Sequence, residues 1–100
     1  MILYNVTIKV DHDIHDEWME WMKQTHIPQV LETGLFIGNE IFRLMEEDSS
    51  EGVTYAIQYR LPDMSSYLTY QRDFAPALQA DHTKRYADKF VAFRTVLRRI

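Results

Sequence analysis

From Ile2 to Val10 apolar and polar side chains alternate. Even positions read Ile2, Tyr4, Val6, Ile8 and Val10, and odd positions read Leu3, Asn5, Thr7 and Lys9. A period of two rich in β-branched residues predicts a strand with one buried face. The period then lengthens. Ile14, Trp18, Trp21, Met22 and Thr25 form the stripe of an amphipathic helix. Asp11 and Asp13 precede it as candidate N-caps, and Asp16 and Glu17 put negative charge where the helix dipole favours it. Pro28 predicts a break or restart, with one further turn over PQVLET, and Gly34 predicts the stop. Phe36 to Glu46 and Val53 to Leu61 read as a second and third strand. The loop EEDSSEG joins them as a solvated hairpin in which Gly52 can supply a positive φ. Pro62 ends the third strand. Asp63 is an N-cap for a second helical region, with Met64, Tyr67, Leu68, Gln71, Phe74, Ala75 and Leu78 on one stripe. Pro76 bends or restarts it, the helix runs through His82 to about Tyr86, and Phe90 to Ile100 reads as a fourth strand.

The element order is βαββαβ over a single domain, residues 1–100. This is an α+β, ferredoxin-like arrangement, a four-stranded antiparallel sheet with two helices on one face. Right-handed crossovers give the strand order 4-1-3-2.

Two helices cover one sheet face, so the other should be polar. On the outer strands it is not. Phe36, Phe42 and Leu44 alternate with Ile37, Ile41 and Met45, and Phe90 and Val96 alternate with Val91, Phe93 and Leu97. Whichever phase these strands take, large apolar side chains point away from the helices. Such a patch predicts a two-fold partner packed sheet on sheet. Asn5, Thr7, Thr54 and Gln58 on the central strands predict a wet, hydrogen-bonded middle inside an apolar rim.

Charge narrows the partners. Eleven Lys and Arg against fifteen Asp and Glu give a formal charge of −4, which argues against nonspecific nucleic-acid binding. Arg94, Arg98 and Arg99 gather near the C-terminus, but a strand splits them between two faces. No apolar run approaches the ~18 residues of a membrane span, and the N-terminal stretch lacks the marks of a signal peptide. The expected location is cytoplasmic. The chain has no cysteine, which removes disulfide frameworks, Cys-type zinc sites and thiol catalysis.

Two stretches carry a resemblance. HDEWMEWMKQTHIPQVLETG (residues 15–34) and FAPALQADHTKRYADKFVAFRTVL (residues 74–97) resemble a small bacterial family of unknown function. More broadly, the βαββαβ layout resembles the dimeric α/β-barrel superfamily. That group includes cofactor-independent antibiotic-biosynthesis-type monooxygenases, haem-degrading monooxygenases and muconolactone-isomerase-like enzymes. The resemblance implies the fold and a homodimer. It implies no active site, because no catalytic set of those enzymes maps onto these residues.

The candidate chemistry lies in histidines and aromatics. The topology predicts His12, His15 and His82 at one end of the domain, with Asp11, Asp13 and Asp81 nearby, and His26 at the opposite end. The first group lacks the helical spacing of metal-ligand pairs, and solvated helix ends explain it more simply; no metal site and no cofactor are expected. His26 precedes a proline at a helix end. The helix dipole favours it there, and near-neutral imidazole is also the usual general base at a pocket mouth. Trp18, Trp21 and Tyr70 on the helices, with Tyr4 and Tyr59 on central strands, either fill the core or line a cavity for a flat organic ligand. Phe74, Leu78, Met22 and Met64 are expected in the core alone. There is no GxSxG elbow, no phosphate loop and no dinucleotide fingerprint. Three readings follow. The protein binds a small flat molecule between helices and sheet, with Tyr4, Trp18, Trp21, Tyr59 and Tyr70 as lining. Alternatively, it is a structural or interaction protein with a filled core. Or it is a cofactor-independent monooxygenase-like or isomerase-like enzyme, in which His26 would be the catalytic proton-transfer group.

Overall fold

The computed structural model describes every residue from Met1 to Ile100. Its centre is a pair of long antiparallel strands, β1 (Ile2–Asp11) and β3 (Gly52–Leu61), in register from Ile2 opposite Leu61 to Asp11 opposite Gly52. Outside β1 lies β4 (Phe90–Arg98), and outside β3 lies the shorter β2 (Gly38–Arg43); both pairings are antiparallel. The sheet order is β2-β3-β1-β4. This is the ferredoxin-like α+β fold that the sequence pattern predicts.

β2 is shorter than expected because its predicted start turns inward. The Phe36 ring packs on Tyr59 and Tyr70, with centroids 5.4 and 4.9 Å away. Gly52 does not use a positive φ; that conformation falls to Glu46 in the loop. Gly52 is needed for closeness instead, since a Cβ there would lie 2.3 Å from the Val10 carbonyl oxygen. Gly34 ends its helical segment at φ +78, as expected of a stop.

The helical layer has two regions. A 3₁₀ turn (His12–Ile14) leads into α1 (His15–Trp21), and a π-helical segment (Met22–His26) joins it to α2 (Ile27–Leu31). The Ile27 N–H bonds the Met22 carbonyl five residues back. Pro28 has no N–H for the carbonyl four residues before it and its ring crowds that carbonyl, so the helix widens just upstream. The second region is α3 (Met64–Asp73) and α4 (Ala75–Tyr86), broken at Phe74 ahead of Pro76. Asp63 caps α3 through its carboxylate, which accepts the Ser66 N–H at 2.8 Å. Asp11 and Asp13 make no such cap; the Asp13 carboxylate instead takes Lys89 Nζ at 2.7 Å.

Even-numbered β1 residues and odd-numbered β3 residues face the helices. Ile2, Tyr4, Ile8, Val10, Val53, Tyr55, Ile57, Tyr59 and Leu61 are buried there, with Trp18, Met22, Val30, Tyr70 and Tyr86 closing the core from the helical side. Phe74 departs from expectation. At the helix break it stays 36% exposed, and Leu68 on α3 is exposed too. The opposite sheet face is open. Its outer strands present Phe42, Leu44, Val91, Phe93 and Leu97, all exposed. Its centre is polar, with Asn5 donating to Thr7 Oγ1 at 3.0 Å and Gln58 alongside. An apolar rim around a polar middle is what the strand phases predict. No helix is long and apolar enough to cross a membrane.

Candidate functional site: two neutral imidazoles in an aromatic cavity

Between the sheet and the helices lies a cavity of about 40 Å³. Its floor comes from the strand phase: Tyr4, Val6 and Ile8 of β1 and Ile57 and Tyr59 of β3. Its roof is Met22 and His26 from the π-helical segment, Val30 from α2, Tyr70 from α3, and Gln79 and His82 from α4. β4 adds Phe90, Ala92 and Arg94. Arg94 is the only exposed residue of this lining, so the cavity reaches solvent along the α4–β4 side.

His26 and His82 meet here. Their rings are 5.9 Å apart, centroid to centroid. His82 is buried and accepts the Trp18 Nε1–H on its Nε2 at 2.9 Å, which leaves the ring proton on Nδ1. His26 stacks on Trp21 at 5.0 Å, and its Nδ1 is buried with no hydrogen-bond partner. Both pKa values are pushed down to about 4. For His26 the cause is burial, which Arg94 reinforces and Asp81 opposes. For His82 it is burial, reinforced by His26 and Arg94. At neutral pH both rings are uncharged. Beside them Tyr4 stacks on Tyr59 with centroids 5.9 Å apart and tilts against Tyr70 at 5.8 Å. Burial raises the Tyr59 and Tyr70 hydroxyl pKa values, so these groups stay protonated.

This corrects the histidine arrangement drawn from topology. His26 is not at the opposite end from His82, since the two rings face each other. His82 keeps toward the predicted end, against Phe90 at the start of β4 with centroids 4.4 Å apart and bonded to Trp18, one turn from His15. A helix advances about 1.5 Å per residue, so His26 lies only about half-way along the sheet from His15. His12 Nε2 instead lies 2.6 Å from the Ser49 carbonyl oxygen, and His15 Nε2 lies 2.6 Å from the Tyr55 hydroxyl. No three metal-binding side chains converge anywhere.

Of the expected lining, Tyr4, His26, Tyr59 and Tyr70 are in the wall. Trp18 and Trp21 are not. Trp18 is fully buried behind His82, and Trp21 is half-buried with the Arg85 guanidinium 5.4 Å over its ring. His82, Gln79 and Arg94 were not anticipated. Arg94 carried a signal, however: it shares its strand phase with Phe90 and Ala92, on the helix-covered face.

The cavity has room for roughly one to three water molecules, against the ~300 Å³ or more of small-molecule pockets. The chemistry on offer is a buried imidazole lone pair, tyrosine hydroxyls and one cation, within apolar walls.

Solved structures share this architecture at low sequence identity. HapK from Hahella chejuensis superposes with TM-score 0.71 at 9% identity, covering 100% of this chain and 93% of its own. SnoaB, a cofactor-independent oxygenase from Streptomyces nogalater, gives 0.70 at 9% identity, covering 99% and 93%. An ethyl tert-butyl ether d (ethd) family protein from Bacillus halodurans gives 0.67 at 13% identity, covering 100% of both chains. At such identities the likeness is one of fold. No curated protein matches the sequence. The family described as Domain of unknown function (DUF4286) matches residues 1–100, the whole chain, and the protein belongs to that family.

Proposed function

We propose that this protein works as a cytoplasmic homodimer in which each protomer binds a flat organic molecule between helices and sheet, with His26 as its proton acceptor. One observation carries the reading: the His26 Nδ1 lone pair is buried in an aromatic cavity with nothing to accept from. Buried polar atoms are nearly always paired, and an unpaired one calls for an explanation, such as a catalytic role or a bound water. A ligand hydroxyl, enol or acidic C–H in the cavity would supply the missing partner. Tyr4, Tyr59 and Tyr70 would orient its polar atoms. The tryptophans act from behind the wall, Trp18 by holding His82 and Trp21 by stacking on His26.

The cavity must widen to admit such a molecule. Both helical regions are interrupted next to it, at Met22–His26 and at Phe74, and interrupted helices yield more readily than continuous ones. SnoaB, described as a cofactor-independent oxygenase, offers an enzymatic version of the reading, in which proton removal by His26 starts the reaction.

A second reading, a filled-core interaction protein, draws support from the fully buried Trp18 and the small size of the cavity. Mass spectrometry of small molecules that co-purify with the native protein separates the two. A flat organic species released from wild type and lost in His26→Ala supports the binding reading; protein that carries nothing and binds none of a panel of flat compounds supports the second. For any turnover found, an unchanged rate in His26→Ala removes that residue from the chemistry.

A further inference from the structure

We propose that the molecule bound in this cavity is an organic anion, a planar carboxylate or enolate, and that Arg94 recognises its charge. The inference rests on the binding reading above and adds the ligand's chemical class.

The charge inventory of the cavity supplies the argument. Its lining holds tyrosine hydroxyls, an amide from Gln79, two neutral imidazoles and apolar side chains; Arg94 is the sole formal charge. Arg94 pairs with no carboxylate: the ion pairs of this chain are made by His15, Arg60, Arg72, Arg85 and Lys89. It makes no side-chain hydrogen bond either, although this is an acidic chain with fifteen Asp and Glu residues. The strand register explains its position. Arg94 lies opposite Val6 on β4, on the face that the helices cover. A charged residue in that phase of an edge strand sets a cation at the rim of an apolar chamber, between the chamber and solvent.

A neutral ligand closing over this rim would strip water from the guanidinium and return nothing for it. A cationic ligand would be repelled. A monoanion would restore neutrality. The guanidinium's planar fork matches carboxylate geometry with two parallel N–H donors. The flat remainder of the ligand would then lie among Tyr4, Tyr59 and Tyr70, within reach of His26. The same cation stabilises negative charge that develops on a substrate when His26 removes a proton.

The experiment is an affinity series followed by NMR shifts of the His26 and Tyr70 signals. The probes are naphthalene-2-carboxylate, its neutral carboxamide and naphthalen-2-ylmethylammonium, against wild type, Arg94→Gln and Arg94→Lys. Arg94 is exposed, so both variants should fold, and circular dichroism checks this. The expected result is a carboxylate at least tenfold tighter than the amide, with the ammonium weakest. Arg94→Gln should bring the carboxylate to the amide's affinity and leave the amide unchanged, while Arg94→Lys restores part of the preference. Equal binding of carboxylate and amide by wild type, or a parallel loss of both in Arg94→Gln, overturns the anion inference and leaves the binding reading standing. If none of the three probes binds, both fall together.

Discussion

The Trp18 indole N–H and His82 Nε2, from residues 64 apart in the chain, form a buried hydrogen bond of 2.9 Å that ties α1 to α4. It is the one fully buried side-chain hydrogen bond between the two helical regions, Tyr86 to Glu17 being only part-buried, and it decides which His82 nitrogen carries the proton. Removing either partner leaves the other buried and unpaired, at a cost of about 1–3 kcal/mol. Trp18→Phe and His82→Phe should each lower stability by about that amount in urea unfolding. The double variant should lose less than the sum, with a coupling of about 1 kcal/mol. Strict additivity would show that the bond contributes nothing.

Acid should destabilise the protein before its carboxylates titrate. His26 and His82 have folded pKa values of about 4, below the ordinary imidazole value near 6.5. In that window the unfolded chain binds more protons than the folded one, so stability rises with pH. The contribution is complete above pH ~6.5 and lost as pH falls toward ~4. With about half of each shift discounted for solvent screening through the open side of the cavity, the loss is on the order of 3 kcal/mol. Urea midpoints across that range check it. His26→Phe should remove about half of the slope, and an unchanged slope would mean that His26 titrates alike in the folded and unfolded chain.

The open sheet face predicts association. Phe93 is 62% exposed at its rim. Size-exclusion chromatography with light scattering should give the mass of two chains at micromolar concentration. Phe93→Glu should shift this to one chain without unfolding the protomer, because the substituted side chain already faces outward. A wild-type monomer would remove the dimer.

Two glycines should respond differently to alanine. At Gly52 the added Cβ meets backbone, 2.3 Å from the Val10 carbonyl oxygen, so β1 and β3 must separate; about 2–3 kcal/mol is expected. At Gly34 nothing lies within 4 Å, and only the φ of +78 resists, for about 1 kcal/mol. Thermal unfolding of the two variants should rank them in that order.

The strands could be read from the sequence because both central ones alternate, with Leu3 the one exception on β1, and a period of two also says which side chains face inward. Tyr4 and Tyr59, opposite one another across β1 and β3, were legible as site residues for that reason. The helical side was harder. Pro28 announces a disturbance, but its form, a widened turn upstream, depends on how the freed carbonyls find partners in three dimensions. His26 was misplaced because it was assigned to an end of the domain by its position in the element order. Its depth depends on how far the helical region continues past it, to Leu31. Arg94 was hidden by its neighbours: grouped with Arg98 and Arg99 it reads as tail charge, whereas its phase with Phe90 and Ala92 puts it at the cavity.

The stretch from Met22 to His26 has a wider meaning. One turn of π-helix amounts to a single residue inserted into an otherwise regular α-helix, and such insertions often mark functional positions. Excising one residue there, Lys23 for example, would let the helix rewind. The wide turn holds the extra residue locally, so α2 would keep its facing while the turn that carries His26 narrows and re-aims its own side chains. A chain with that shorter spacing between Trp18 and Pro28 would keep the scaffold, and the one inserted letter would be what decides where the imidazole points.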